Sequence, residues 1–411
     1  MRKAFCTFCF LLISVLPCLG AESDALAISQ NIQSLHVPYG TILDPRFASA
    51  DPSSPAYNTV SSYTRCRDSA IWSGHYLAAE AFRYQVTGSS DNLRRALAGI
   101  QSLREITGTD VLARCLFPAD SPYAADLAAE NQDLGIYDGT VSGQSYKWVG
   151  NTSRDQYSGV FFGLGIAYDM VDDDSVRSNV SSEVTRLLNN LIANHWSVVM
   201  PNGTISTSFL SHPDQILSFL QVGRHVNPPR FELTYQAYRA ALSAFVALPI
   251  LYDCGDDHNH YFKFNLDSIN LYNLIRLEER TSPFLRSYLT AYSVLWNTTQ
   301  THQNAHFNMI NRAIQGEDLV RDQQTVQLLN QWLQRPRRDA WVDLTSQYPA
   351  CGQTDRACVI IPVPQRPNTD FLWQRSPRLL YGGGDGTIET AAIDYILSYW
   401  MARYYKISGM D

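Results

Sequence analysis

The residues of this chain best suited to chemistry fall in five polar clusters, and two of these place candidate proton-transfer groups on a helix. The first is Ser153-Arg154-Asp155-Gln156-Tyr157-Ser158-Gly159. Ser153 is placed to cap a helix, so Arg154, Asp155, Gln156 and Tyr157 sit at its mouth. Arg154 can hold a carboxylate in a bidentate manner, Asp155 can act as acid or base, and Tyr157 can move a proton. The ordinary alternative is a capping acid in a surface first turn. Gly159, Gly163 and Gly165 further along the same helix predict close packing against a neighbour. The second cluster is Thr301-His302-Gln303-Asn304-Ala305-His306. Two imidazoles one turn apart can share a metal or a substrate, but Gln303 stands where a metalloprotease helix needs Glu. Proton transfer by His306, assisted by Asn304, is the functional reading, and satisfied core histidines are the plain one.

The three remaining clusters carry weaker signals. Asp253-Cys254-Gly255-Asp256-Asp257-His258-Asn259-His260 is rich in ligand types, yet its spacing matches no metal template, and a polar loop between helices is expected there. No zinc spacing of Cys and His occurs, so no metal and no cofactor are expected. Asp370 to Pro377, followed by Gly382-Gly383-Gly384-Asp385-Gly386 and Glu389, offers Trp373 and Arg375 as a sugar platform and Glu389 as an acid. It lacks the Gly-Lys-Ser/Thr of a phosphate loop, and a structural closing turn explains it equally well. Arg65, Arg67, Asp68, Trp72 and His75 open the first clear helix, where Asp68 is placed as a cap or first-turn acid. With Trp148, the tryptophans Trp72 and Trp373 present flat apolar faces with a hydrogen-bonding edge, which suits a sugar ring as well as a core.

These side chains need elements to hold them, and apolar residues recur at helical spacing through nearly all of the chain. Trp72, His75, Tyr76, Ala79, Phe82, Arg83 and Val86 form one stripe that stops at Gly88. Leu93, Leu97, Ile100, Leu103 and Ile106 form a second, giving a helical hairpin. Further helices are predicted near 155–171, 176–199, 212–223, 232–252, 265–279, 283–297, 302–315, 318–333 and 386–406, with a weak one near 28–35 or 124–132. Residues 135–153 read as a small β-hairpin, and 335–385 as a long Pro-rich connection of the kind that forms binding walls. About twelve helices in pairs, with no constant repeat period, make the inventory of an all-α (α/α)6 toroid with a small β-hairpin insertion.

The chain opens with Met1-Arg2-Lys3, an apolar run from Ala4 to Leu16 and the small residues Gly20 and Ala21, the three parts of an export signal. Residues 1–21 are read as that signal and 22–411 as a single domain; acylation of Cys18 is disfavoured by Pro17 before it. Without Arg2 and Lys3 the remainder carries 30 basic against 39 acidic residues, a formal charge of −9. That balance argues against a nucleic-acid partner, and no apolar stretch is long enough for a stable membrane span. Beyond the signal the cysteines are Cys66, Cys115, Cys254, Cys351 and Cys358. Cys351 with Cys358 is the first disulfide expected in an oxidising compartment, Cys66 with Cys115 the second, and Cys254 is left as a buried thiol.

The hairpin inventory, with Asp68-Ser-Ala-Ile-Trp72-Ser-Gly-His75-Tyr76 running into the Thr87-Gly88 stop, resembles the secreted (α/α)6-toroid carbohydrate enzymes. These are the six-hairpin glycosidases, such as unsaturated-glucuronyl hydrolases, and the alginate and heparin lyases. The likeness is architectural and no motif matches in full: Asn259-His260-Tyr261 resembles an adjacent Asn-His-aromatic arrangement of the lyases, while Asn304-Ala305-His306 has an inserted alanine. The resemblance implies a secreted or periplasmic enzyme with a carbohydrate partner and two versions of its chemistry. In the lyase version His306 or Tyr157 abstracts a proton beside a uronate carboxylate held by Arg154 and Asn304. In the hydrolase version Asp155 works with Glu389 or Asp68. Gln156, Trp72, His75, Trp148, His302, Trp373 and Arg375 complete the binding set. The alternative is a non-catalytic carbohydrate-binding or interaction protein, and the oligomeric state is left open. Convergence of Asp68, Arg154, Asp155, His306 and Glu389 on one cavity separates the enzyme from its rivals.

Overall fold

Gly88 ends the first long helix where the apolar stripe stops, taking the left-handed conformation (φ +76°) that glycine adopts at little cost. The computed structural model describes residues 22–256, 258, 260–351 and 359–410. The expected signal, residues 1–21, lies outside them, as do Asn259 and Cys358. Helix accounts for 57% and strand for 11%, so the chain is mostly helical, with small antiparallel sheets.

The described residues begin with α1 (Glu22–Asn31), run through a π-helical turn (Ile32–His36) and form the two-stranded sheet β1 (Asp44–Phe47) and β2 (Val60–Thr64). The first hairpin is α2 (Ser69–Thr87) with α3 (Asp91–Glu105). There follow β3 (Cys115–Pro118), the short α4 (Ala124–Glu130), β4 (Ile136–Val141) and β5 (Gln144–Val149). The expected hairpin is β4–β5, and β3 extends it to three strands. Then come α5 (Arg154–Met170), α6 (Asp174–Ala193), the hairpin β6 (Ser197–Val199) with β7 (Ile205–Ser208), α7 (Pro213–Val226), α8 (Pro228–Leu242) and α9 (Ala247–Asp253). The last part holds α10 (Tyr261–Arg276), α11 (Leu285–Thr299), α12 (Ala305–Gln315), α13 (Leu319–Trp332), the strand pair β8 (Val342–Asp343) and β9 (Tyr381–Gly382), and α14 (Ile393–Tyr404).

Where helices depart from the periodicity, a local cause is visible. The stretch expected as one helix over 232–252 is broken by a 3-10 turn at Ser243–Phe245. Pro249 lacks the N–H and crowds the carbonyl four residues back, so the helix restarts as α9. The helix expected to reach 199 ends at Ala193, because His195 and Trp196 take positive φ and turn the chain into β6. That turn buries Trp196 and lets its Nε1 donate to the Tyr238 hydroxyl at 2.9 Å. The last helix starts at Ile393 rather than 386: Gly386 and Ile388 donate their N–H groups to Asp339, and Ala392 sits at φ +56°.

Burial separates two kinds of helix. In α2 every residue from Ser69 to Arg83 is buried, and α5, α7, α10, α12 and α14 are similarly enclosed. In α3, α6, α8 and α11 only one stripe is covered, the pattern of helices with one face in solvent. The enclosed helices touch in a circuit: α2 on α5, α5 on α7, α7 on α10, α10 on α12, α12 on α14 and α14 back on α2. Several of them run in parallel. Ile71 and Gly74 of α2 meet Gly159 and Gly163 of α5, and Ser158 and Phe161 of α5 meet Asn270 and Asn273 of α10. The interior is filled, with α5 also packing directly on α10, and one apolar cluster extends from Ala25 to Met410.

Cys66 and Cys115 form a disulfide with Cα atoms 5.3 Å apart, tying the approach to α2 to strand β3. Cys351 is also disulfide-bonded, while its expected partner Cys358 lies outside the described residues. Cys254 is half-buried rather than fully buried, and burial pushes its thiol up to about 11. Replacing Cys66 and Cys115 by Ser is expected to cost ~4 kcal/mol in the chain-entropy account, measured as a fall in the urea midpoint.

Candidate functional site

Three helix N-termini open onto one cleft of about 310 Å³. The first turn of α5 contributes Ser153, Arg154 and Asp155; the start of α7 contributes His212 and Gln215; α10 contributes Phe262, Lys263, Leu266 and Asp267. Thr207 of β7 and Asp253 at the end of α9 complete the wall. The three helices are parallel and packed together, so local signals put their mouths side by side: extended Ser153 starts α5, and Pro213 fills the first position of α7.

Inside the cleft the acids have contrasting surroundings. Asp155 is held by its neighbours: Ser153 Oγ donates to one oxygen and Gln156 Nε2 donates to the other at 3.2 Å. The same Gln156 amide donates to Asp68 at 3.2 Å, while its carbonyl accepts from the Ile71 N–H at 3.0 Å. The two acids therefore share one amide, and burial together with the nearby Asp155 pushes the Asp68 carboxyl up to about 6. Asp267 is 3% exposed and its Oδ2 has no hydrogen-bond partner. Burial, then Asp214 and Asp253, hold its carboxyl well above the usual carboxylate range. Asp214 lies behind the wall, fully enclosed, and burial pushes it up to about 7. Cations line the same cleft. Lys263 pairs with Asp253 at 2.6 Å, Arg154 donates to Thr207 and the Ser208 carbonyl at 3.2 Å each, and His212 is pushed down to about 4 by burial and by these two charges.

Of the residues singled out from sequence, Arg154 and Asp155 line this cleft, and Asp68 and Gln156 stand directly behind Asp155. The others lie elsewhere, and the expected convergence on one cavity does not extend to them. Tyr157 is enclosed, its hydroxyl accepting from the Leu112 N–H at 3.1 Å. His306 is 1% exposed, both its ring nitrogens lack hydrogen-bond partners, and it packs 4.7 Å from Trp373. Burial lowers its pKa far below that of a free imidazole. His75 donates from Nδ1 to the Ile71 carbonyl at 2.8 Å and accepts from Asn265 at 3.0 Å. With Trp72, Phe371 and Trp373 it makes an aromatic plug in the middle of the helix circuit. The Pro-rich connection thus supplies core through Phe371 and Trp373.

The remaining expectations resolve in the same way. His302 is buried beside Tyr261, and Asn304 caps α12 by accepting from the His306 N–H at 3.0 Å. Trp148 stacks on Tyr137 within the three-stranded sheet. Arg375 is exposed and paired with Asp370 at 2.7 Å. Glu389 accepts from Asn31 at 2.7 Å and lies against His36 and Arg337, lining a separate depression with Tyr57 and Arg338. Among the described residues no group of three His, Cys, Asp or Glu is arranged to hold a metal.

Changing His306 to Ala is therefore expected to destabilise the fold by ~2–4 kcal/mol, since it empties a packed aromatic site. A lowered thermal midpoint would be the readout, and an unchanged one would mean that the ring contributes no packing.

Sequence reasoning missed Asp267, Asp214, Lys263 and His212. The usable signal was the run Asn265-Leu-Asp267-Ser-Ile-Asn270-Leu-Tyr-Asn273, a polar stripe inside a helix that is otherwise apolar. No protein-family model matches the chain, and no curated protein shows significant similarity to it.

Proposed function

We propose that the chain is an exported glycoside hydrolase built as an (α/α)6 toroid, with its reaction in the cleft between α5, α7 and α10. The observation that carries the reading is the contrast between two carboxyl groups lining one cleft: Asp155, oriented by Ser153 and Gln156, and Asp267, buried and held well above the usual carboxylate range. Pairs of acids whose surroundings push them apart divide into base and acid, which hydrolysis of a glycosidic bond requires. Water attacks the anomeric carbon and gives its proton to Asp155. The carbon–oxygen bond breaks, and the leaving oxygen takes the proton of Asp267. Arg154, Lys263 and Thr207 supply polar groups that orient the sugar. Asp68 serves as a positioning residue that fixes the Gln156 amide, and thereby Asp155.

The hydrolase version is favoured over the lyase version because neither His306 nor Tyr157 lines this cleft, whereas Asp155 and Asp267 do. The toroid reading is supported by the circuit of enclosed helices, four of which, α2, α5, α7 and α10, pack on the half-exposed α3, α6, α8 and α11. Export to a secreted or periplasmic destination is supported by the Cys66–Cys115 disulfide; no helix among the described residues is long and apolar enough to cross a membrane. Incubating the purified chain with neutral and uronate oligosaccharides should release reducing ends without the absorbance of unsaturated products. Unsaturated products would restore the lyase version. Binding without cleavage would favour the non-catalytic alternative.

A further inference from the structure

We infer that a second sugar subsite lies outside the cleft, on the aromatic ledge formed by Phe262 and Tyr252, and that the preferred substrate is an oligosaccharide long enough to reach it. The inference rests on the hydrolase reading and adds its substrate length. At about 310 Å³ the cleft is at the small end of ligand pockets, so a chain of several sugars must leave it over the rim. The rim is polar at Ser153 and Thr207, but on the α9–α10 side it is aromatic.

Phe262 lines the cleft and is 42% exposed, and Tyr252 beyond it is 69% exposed. Leaving large rings in water is unfavourable, and rings next to a cleft are the natural place for the apolar face of a pyranose. Tyr252 is not loose. His260 stacks on it with ring centroids 5.3 Å apart, and the Lys263 ammonium lies 5.3 Å from its centre. Lys263 is at the same time tied to Asp253 in the cleft wall, so one chain of contacts links ledge and cleft. Because the ring is fixed in advance, binding loses little side-chain entropy there. Asp253 and Lys263 provide the polar groups that sugar hydroxyls need beside a stacking face.

The test compares neutral oligosaccharides of two to six units on the wild type, Tyr252→Ala and Tyr252→Phe. The wild type should show KM falling as length increases. Tyr252→Ala should raise KM for the long substrates roughly tenfold, with kcat and the short substrates unchanged, and Tyr252→Phe should restore the wild-type values. Equal effects on short and long substrates, or none on either, would overturn the ledge while leaving the hydrolase standing. Absence of cleavage of any oligosaccharide by the wild type would instead remove the hydrolase reading, and the ledge with it.

Discussion

Asp267→Asn should lower kcat by roughly 10²–10⁴ on oligosaccharides, the usual share of a general acid, while the helical signal stays intact. The amide keeps the volume of the carboxyl and cannot release a proton. A substrate whose leaving group needs no protonation, such as a glycosyl fluoride, should lose far less. Asp155→Asn should lose activity on both substrates, since the attacking water needs its base in either case. The wild-type rate should also fall on the alkaline side as Asp267 loses the proton that burial and Asp214 retain for it. That limb should be missing in the variant. Stability offers an independent readout. A carboxyl raised in the folded state stabilises fully below its unfolded value, about 3.9, and that contribution is lost as pH rises through the folded value. Asp267→Asn should therefore flatten the decline of stability at rising pH. Full activity in the variant, or the same loss on the fluoride, would end the assignment of Asp267 as acid.

The parts of the molecule legible from sequence are those set by local rules. Gly88 stops α2, Asp173 and Asp318 cap α6 and α13 by accepting from backbone N–H groups, and β4–β5 forms the expected hairpin. Asp155 was legible for the same reason, since Ser153 marks a helix mouth and a helix mouth borders space. His306 misled because an imidazole beside polar residues reads the same whether it faces a cavity or a tryptophan. Only the fold brings Trp373, 67 residues later in the chain, against it. Asp267 stands in a polar stripe that the sequence shows, but its setting was hidden: in an enclosed helix an acid is costly unless neutral, and the stripe alone does not tell an enclosed acid from one on a solvated face. Its state is set first by burial and then by the charges of Asp214 and Asp253 on other helices.

Gly74→Val should prevent stable folding, with a loss well above ~3 kcal/mol, because the obstacle is backbone rather than a side chain that can swing away. A β-carbon on Gly74 would lie 2.0 Å from the Gly159 carbonyl oxygen, one on Gly163 would lie 2.2 Å from the Gly74 oxygen, and one on Gly159 would lie 2.5 Å from the Ile71 oxygen. Three glycines thus let α2 and α5 approach until their backbones touch; of Gly159, Gly163 and Gly165, which announce close packing in the sequence, the first two make this backbone approach and Gly165 faces side chains instead. Forcing the helices apart would also pull Ile71 from Gln156, and with it the amide that orients Asp155. Gly165, two residues after Gly163 on α5, provides the control. The nearest atoms to its added β-carbon would be side-chain atoms of Arg276, Val222 and Asn273, at 3.3–3.4 Å. Those ends can give by a few tenths of an ångström, and Ala also lowers the entropy of the unfolded chain, so Gly165→Ala should change stability by no more than ~1 kcal/mol in either direction. Urea midpoints followed by far-ultraviolet dichroism separate the two cases. A Gly74→Val variant with a wild-type midpoint would show that α2 and α5 can stand further apart, and the coupling between helix spacing and the orientation of Asp155 would fail with it.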